Sequence, residues 1–160
     1  MEMPDQTPVQ IAWVTRDLDA TERALTTLLG ARKWIRMRGV RFGPDTCTYR
    51  GRPADFVADI SLSYAGDTQL ELIAPVCGES IYTEFLDSAG PGLHHVCIEA
   101  DDIERALAER DAEVVQRGVM AGGIEFAYVS AEAAGVPYIE IAHISPEIQA
   151  FFDHVKQEQQ

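Results

Sequence analysis

The sequence predicts an α+β fold in which a βαβββ unit occurs twice. Stretches of alternating polar and apolar residues follow the order strand, helix and several strands, and then the same order again. Short segments of the first half also resemble segments of the second half, in the same order along the chain. The 160 residues are therefore expected to form one globular domain of two tandem modules.

The first module is expected at about residues 9–75. Residues 10–15 alternate as a strand does, and the stretch that follows has helical spacing, with Asp17 as its N-cap and Gly30 as its stop. The three expected strands that complete this module cover about residues 33–37, 59–64 and 69–73.

The second module is expected at about residues 92–143, and it repeats that order. A strand at 93–100 precedes a helix at about 102–110, and three strands follow near 112–117, 124–129 and 137–142. Residues 1–8 are then an N-terminal extension. Residues 144–160 form a C-terminal helix and tail, because their apolar residues have helical spacing.

The repeat relates four polar residues in two pairs. Gln10 corresponds to His95, and Glu71 corresponds to Glu140. The two offsets, 95 − 10 = 85 and 140 − 71 = 69, differ by 16 residues. We therefore expect an insertion in the first module, between about residues 32 and 58.

Strand alternation places these residues on one face of the sheet. Leu72 and Ile141 belong to the aliphatic sets of their strands, which are expected to pack against the helices, so Glu71 and Glu140 point to the other face. The same argument predicts this orientation for Asp59. The side chains expected on the face away from the helices are Gln10, Asp59, Glu71, His95 and Glu140.

Composition excludes several classes of function. The chain has 26 acidic and 13 basic residues, a net charge of −13 that repels nucleic acids. No apolar run is long enough for a membrane span, and the first residues do not have the pattern of a secretory signal. Three cysteines without CxxC spacing favour a reducing compartment. We expect a cytoplasmic protein that binds neither nucleic acid nor membrane.

Two motifs resemble those of the vicinal oxygen chelate superfamily, which includes glyoxalase I, methylmalonyl-CoA epimerase, extradiol dioxygenases and antibiotic-resistance proteins. They are GDTQLELIAP at residues 66–75 and GLHHVCIEADDI at residues 92–103. Both are most similar to the epimerases, and the resemblance covers about residues 9–143. It implies a cupped, mixed β-sheet that surrounds a metal-binding cleft.

The resemblance also implies that one divalent metal ion is bound by Gln10, Glu71, His95 and Glu140. The epimerases have a histidine where this chain has Gln10, whereas eukaryotic glyoxalase I has Gln, Glu, His and Glu in this order. One imidazole, two carboxylates and an amide oxygen suit Zn, Ni, Co or Mn and leave positions open for substrate. A glutamine is also expected where a metal ligand has been lost. Gln10 therefore leaves open the alternative of a site that binds without metal.

Such a site predicts a metal-dependent isomerase or lyase that acts at a carbon next to a carbonyl. Glu140 is the first candidate for the base and Asp59 the second. The favoured reaction is epimerisation of an acyl-CoA or a related α-substituted acid derivative, and a glyoxalase I-type lyase is the alternative. A non-catalytic small-molecule binding or resistance protein is a third interpretation. An extradiol dioxygenase does not fit, because its iron prefers two histidines and this chain aligns one.

The substrate is expected to be a small molecule, and one segment indicates that it is anionic. Residues 32–52 hold seven of the 13 basic residues and a single acid. Arg36, Arg38 and Arg41 are therefore candidates for binding phosphate or carboxylate groups. The alternative is a solvated strand edge. Members of the superfamily complete their clefts within one chain or across a dimer, so the resemblance also allows a homodimer.

Overall fold

A computed structural model describes residues 7–120 and 122–160. In these residues, ten strands form one sheet and four α-helices pack on it. The strands are β1 (Pro8–Val14), β2 (Ile35–Phe42), β3 (Cys47–Tyr49), β4 (Arg52–Pro53), β5 (Phe56–Ala65), β6 (Thr68–Cys77), β7 (Gly92–Glu99), β8 (Val114–Met120), β9 (Ile124–Ser130) and β10 (Tyr138–Ile144). The helices are α1 (Leu18–Leu29), α2 (Ile81–Ala89), α3 (Ile103–Arg110) and α4 (Pro146–Gln157). Of the expected N-terminal extension, residues 1–6 lie outside the described residues.

The sheet contains the two expected modules side by side. Its strand order is β2-β5-β6-β1-β7-β10-β9-β8-β3-β4. The first module contributes β1, α1, β2, β5 and β6, and the second contributes β7, α3, β8, β9 and β10. The modules meet where β1 pairs antiparallel with β7. The predicted α+β fold of two βαβββ units is confirmed. None of the helices in the described residues is long and apolar enough to span a membrane.

Strand registers agree with the internal repeat. In the first module β1 runs parallel to β6, with Ala12 opposite Glu71. In the second module β7 runs parallel to β10, with Cys97 opposite Glu140. Cys97 follows Ala12 by 85 positions and Glu140 follows Glu71 by 69, which are the offsets read from the sequence. An approximate twofold axis therefore relates the modules.

The insertion expected in the first module forms part of the second module's edge. Strand β3 leaves its own module and pairs with β8, where Cys47 lies opposite Gly118. A side chain on Gly118 would meet the Cys47 sulfur at 2.5 Å, so this approach requires glycine. The sheet curls so strongly that the Phe42 ring on β2 contacts the Phe126 ring on β9, at 6.0 Å between centroids.

Each face of the curled sheet has its own core. Helix α1 packs on the convex face against Leu72, and α3 packs there against Ile98 and Ile141. The concave face encloses a larger core, rich in aromatic residues, which Val155 of α4 helps to fill. The helix expected within residues 144–160 is thus present as α4, and it covers part of the concave face.

Helix α2 has no counterpart in the sequence analysis, which assigned no element to residues 76–91. Ser80 begins it as an N-cap, with its hydroxyl oxygen accepting a hydrogen bond from the Thr83 backbone N–H. Buried Gln116 accepts another from the Ile81 N–H. Through these contacts α2 inserts Tyr82 into the concave core, where its hydroxyl bonds that of Tyr128 at 2.6 Å.

Candidate metal centre

Three side chains from three central strands converge on the concave face. The ligand atoms of Glu71 (β6), His95 (β7) and Glu140 (β10) all lie within 4.8 Å of one another. His95 Nε2 is 3.4 Å from Glu71 Oε1 and 3.6 Å from Glu140 Oε1. The histidine is fully buried, and the two glutamate side chains are 15% and 12% exposed. This arrangement is a buried acid–imidazole–acid group in the middle of the sheet.

Strand alternation explains this convergence. Leu72 faces α1 and Ile141 faces α3, so the glutamate that precedes each of them points to the concave face. Because β1 and β7 lie between β6 and β10, the approximate twofold axis places one glutamate on either side of His95.

Four buried side-chain polar atoms have no hydrogen-bond partner among the described residues, and two of them, His95 Nε2 and Gln10 Oε1, belong to candidate ligands. The other two are His94 Nε2 and Gln116 Nε2. The amide of Gln10 donates from its Nε2 to Gln69, which leaves Oε1 free. Gln10, Glu71 and Glu140 line one cavity of about 90 Å³. A buried acceptor without a donor is costly, which indicates that these atoms bind something else.

The residues present fit a divalent metal ion. Metal–ligand bonds of about 2.0–2.3 Å put neighbouring ligand atoms about 3.0–3.8 Å apart, which includes the distances between His95 and the two glutamates. Two carboxylates balance the charge of such an ion. Glu71, His95 and Glu140 therefore form a candidate metal site, with Gln10 Oε1 available as a fourth ligand.

The carboxylates also control the protonation of His95. Burial lowers the pKa of this imidazole, but the nearby carboxylates of Glu140 and Glu71, 3.6 and 3.4 Å from Nε2, outweigh that effect and raise the pKa to about 9. Burial is the main cause that raises the pKa of Glu71, and the negative charge of Glu140 adds to it.

Most of the chain matches the sequence model of a known family. The sequence model of the glyoxalase/bleomycin resistance protein/dioxygenase superfamily matches residues 9–128. The chain belongs to this superfamily. No significant match to a curated protein was found.

Solved structures share the fold of this chain at low sequence identity. Methylmalonyl-CoA epimerase from Mycobacterium tuberculosis is 20% identical, with a TM-score of 0.64 over 94% of this chain and 97% of that one. A hypothetical protein from Bacillus halodurans is 19% identical, with a TM-score of 0.60 over 88% and 96%. A Streptomyces coelicolor methylmalonyl-CoA epimerase, solved with 2-nitronate-propionyl-CoA, is 14% identical, with a TM-score of 0.60 over 88% and 96%.

The expectation that Asp59 points into the cleft is wrong. Asp59 lies opposite Ala74, which packs against the core beneath α1 on the convex face. Its carboxylate accepts a hydrogen bond from the Gly39 N–H at 2.7 Å and lies 3.6 Å from Arg38. The aliphatic residues of β5 fill the concave core, so its polar residues face outward. Asp59 therefore does not reach the candidate metal site.

Arg36, Arg38 and Arg41 do not line the cleft either, contrary to the expectation that they bind an anionic substrate there. Arg36 donates to Glu22 on α1 at 2.7 and 2.9 Å and also pairs with Asp19. Other cations of the segment are paired as well: Lys33 with Glu158, Arg38 with Asp59, Arg41 with Asp55, Arg50 with Glu84 and Arg52 with Glu79. The segment is therefore a set of ion pairs on the outer surface.

Several residues of the site were missed by the sequence analysis. Gln69 and Tyr64 line the cavity and form a hydrogen-bonded row with Gln10. Gln69 shares the face of Glu71 by alternation, so the signal for it was present. Gln149 and Phe152 of α4 line the same cavity, and no local pattern predicts where α4 docks. Cys97, which shares this face, also lines the cavity.

Metal affinity should depend on pH through His95. A proton and a divalent ion compete for Nε2, so we expect the apparent dissociation constant for Zn²⁺ or Ni²⁺ to fall by about tenfold per pH unit as pH rises towards 9. Calorimetric titrations at pH 6, 7 and 8, in two buffers with different ionisation enthalpies, would measure this slope and the proton released. His95→Gln is the control that should remove the slope, and an affinity independent of pH in the wild type would refute the prediction.

Proposed function

We propose that this protein is a metal-dependent enzyme that moves a proton at a carbon next to a carbonyl. The favoured instance is epimerisation of an acyl thioester, such as an acyl-CoA or a related α-substituted acid derivative. The observation that supports it most is the pair of carboxylates, Glu71 and Glu140, on either side of His95. Two such groups allow a proton to be removed from one face of a planar carbon and added to the other.

In this proposal Gln10, Glu71, His95 and Glu140 hold one divalent ion, which is Zn, Ni, Co or Mn. An ion bound there supplies a Lewis acid that polarises the substrate carbonyl. The four side chains come from β1, β6, β7 and β10, which are adjacent in the sheet and rigidly paired. Such strands hold catalytic groups more firmly than loops do.

Glu140 is the proposed base. Its carboxylate removes the proton from the carbon next to the carbonyl, and the electron pair of the broken C–H bond moves into the carbonyl to give an enolate. Glu71, on the opposite side of His95, enters the step as the neutral acid and gives its proton to the other face of that carbon. The product is the epimer of the substrate, with no change in oxidation state. Glu140 then gives up its proton to solvent water and Glu71 takes one up, which restores the starting state.

The cavity restricts what enters. Its volume of about 90 Å³ is smaller than the cavity of about 150 Å³ that holds a benzene molecule, so it takes only the reacting end of a substrate. The rest must lie outside. A second cavity of about 610 Å³ shares Glu99, Ile144 and Gln149 with the first and offers room for it.

Epimerisation is preferred because the solved structures that share the fold include proteins named methylmalonyl-CoA epimerase. Gln10 favours the second candidate, a glyoxalase I-type lyase, whose ligand set Gln, Glu, His and Glu this chain resembles. Both reactions begin with the same proton removal. A binding or resistance protein would use the same cleft without turnover.

Hydrogen–deuterium exchange tests the proposal. The metal-loaded protein is incubated in D₂O with α-methyl-branched acyl-CoAs, with the matching acyl-pantetheine thioesters and with the hemithioacetal of a 2-oxoaldehyde. We expect metal-dependent deuterium incorporation at the α-carbon of the thioesters. Exchange of the CoA and pantetheine esters at similar rates is expected, because the larger cavity offered for the rest of the substrate is lined by four acids, Glu99, Asp101, Asp102 and Glu109, against one arginine, Arg105, and so does not favour the CoA phosphates. Conversion of the hemithioacetal alone would identify the lyase, and binding without exchange would identify a binding protein.

A further inference from the structure

A β-bulge places a second imidazole directly behind the candidate ligand His95. Ala12 and Trp13 are consecutive in β1, but their partners in β7 are His95 and Leu93, so His94 is an extra residue in β7. The bulge brings the two rings together instead of turning them to opposite faces. His94 Nδ1 lies 2.8 Å from His95 Nδ1, and both side chains are fully buried.

We propose that His94 is a positioning residue that fixes the tautomer and orientation of His95, so that the Nε2 lone pair of His95 faces the two carboxylates. This inference rests on the proposed metal site. The 2.8 Å contact contains one proton between two nitrogens. If His95 uses Nε2 as a ligand, its own proton is on Nδ1, and His94 Nδ1 must be the acceptor.

The surroundings of His94 suit this role. Three rings enclose it, with centroids at 5.3 Å for Tyr82, 5.2 Å for Phe85 and 5.1 Å for Tyr138. Two of these rings, Tyr82 and Phe85, belong to α2. By packing in the concave core, α2 therefore supports the side of His94 that is away from His95. The imidazole has no room to rotate away from His95 without moving an aromatic side chain.

The repeat supplies an internal comparison. The corresponding bulge in β1 lies between Pro8 and Gln10, so its extra residue is Val9, 85 positions before His94. A valine cannot accept a hydrogen bond, and Gln10 is held by Gln69 instead. The module whose candidate ligand is an imidazole thus has an acceptor at the bulge, and the module whose candidate ligand is an amide does not.

Metal titrations of His94 variants test the inference. His94→Phe keeps a ring in the cage but removes the acceptor, and we expect the Zn²⁺ dissociation constant to rise by about 10- to 100-fold. His94→Asn places an amide oxygen near the Nδ1 position, and we expect it to restore affinity to within about threefold of wild type. Phe85→Leu removes one enclosing ring but keeps the acceptor nitrogen, so we expect it to raise the dissociation constant by no more than about threefold, much less than His94→Phe does.

A spectroscopic measurement separates positioning from a general loss of packing. In the Zn²⁺-loaded wild type, ¹⁵N NMR of His95 should show a proton on Nδ1 and metal on Nε2, and the Co²⁺-loaded His94→Phe variant should have an altered visible spectrum. Wild-type affinity in His94→Phe, or metal on Nδ1 of His95, would overturn the inference alone. A wild-type protein that binds no divalent ion would instead refute the proposed function. If His94→Phe does not fold, the ¹⁵N NMR assignment in the wild type and in His94→Asn still shows which nitrogen of His95 carries the proton and which binds metal.

Discussion

Glu140→Ala should abolish turnover, with a loss of at least about 1,000-fold, because it removes a metal ligand and the proposed base together. Glu140→Gln separates the two roles. Its amide oxygen can still act as a ligand, as proposed for Gln10, but it cannot take up a proton. We expect this variant to bind metal within about tenfold of wild type while turnover falls by about 100- to 10,000-fold.

Asp59→Asn is the matched control for the Glu140 variants. Asp59 was the second candidate for the base, but it lies on the convex face beside Gly39 and Arg38. We therefore expect full activity and full metal content in Asp59→Asn. Steady-state kinetics and metal analysis of the three variants would check this. Normal turnover in Glu140→Gln, or loss of it in Asp59→Asn with metal retained, would move the base to another residue.

Arg36→Met should lower stability rather than substrate affinity. Arg36 is 25% exposed, and it neutralises Glu22, whose side chain is 14% exposed and also accepts from the Ser61 hydroxyl at 2.7 Å. Removing the cation leaves a largely buried carboxylate without its counter-charge. We expect the free energy of unfolding to fall by about 1–3 kcal/mol, while the Michaelis constant stays unchanged.

Arg38→Met is the matched control on the same strand. Arg38 is 63% exposed and lies 3.6 Å from Asp59, so its loss should cost about 0.5 kcal/mol or less. Urea denaturation of both variants would measure the difference. A raised Michaelis constant at wild-type stability in Arg36→Met would restore the interpretation of the basic segment as an anion site.

The Arg36 effect should also depend on pH. Burial raises the pKa of Glu22, but hydrogen bonds from Arg36 and Ser61 outweigh it and hold the pKa below its ordinary value of 4.5. A lowered carboxyl pKa stabilises the folded state above the unfolded pKa, and this stabilisation is lost as pH falls through the folded value. The stability difference between wild type and Arg36→Met should therefore shrink as pH falls below about 4.5.

The residues of β6 and β10 were predictable because these strands keep a regular alternation. Leu72 and Ile141 face α1 and α3, so the orientation of Glu71 and Glu140 followed from period two alone. The repeat then added His95 and Gln10. These inferences needed only local pattern and the order of the modules.

The same rule failed on β5 because aliphatic residues do not always face helices in a cupped sheet. Leu62 lies opposite Glu71 and packs in the concave core, while Ser61 faces Glu22 on the polar side of α1. The His94 bulge was also invisible, since alternation assumes that no residue is inserted. Which face of β5 is apolar depends on what packs against the concave face of the sheet. Residues of α2 and α4 pack there, and both helices lie outside β5 in the sequence.

Anomalous diffraction from crystals soaked in Zn²⁺ or Ni²⁺ tests the metal centre most directly. We expect one strong anomalous peak within about 2.0–2.3 Å of Gln10 Oε1, His95 Nε2 and an oxygen of both Glu71 and Glu140. The peak should disappear in His95→Ala. A fully soaked crystal with no peak on the concave face, or with the ion bound by other residues, would contradict the proposed metal centre.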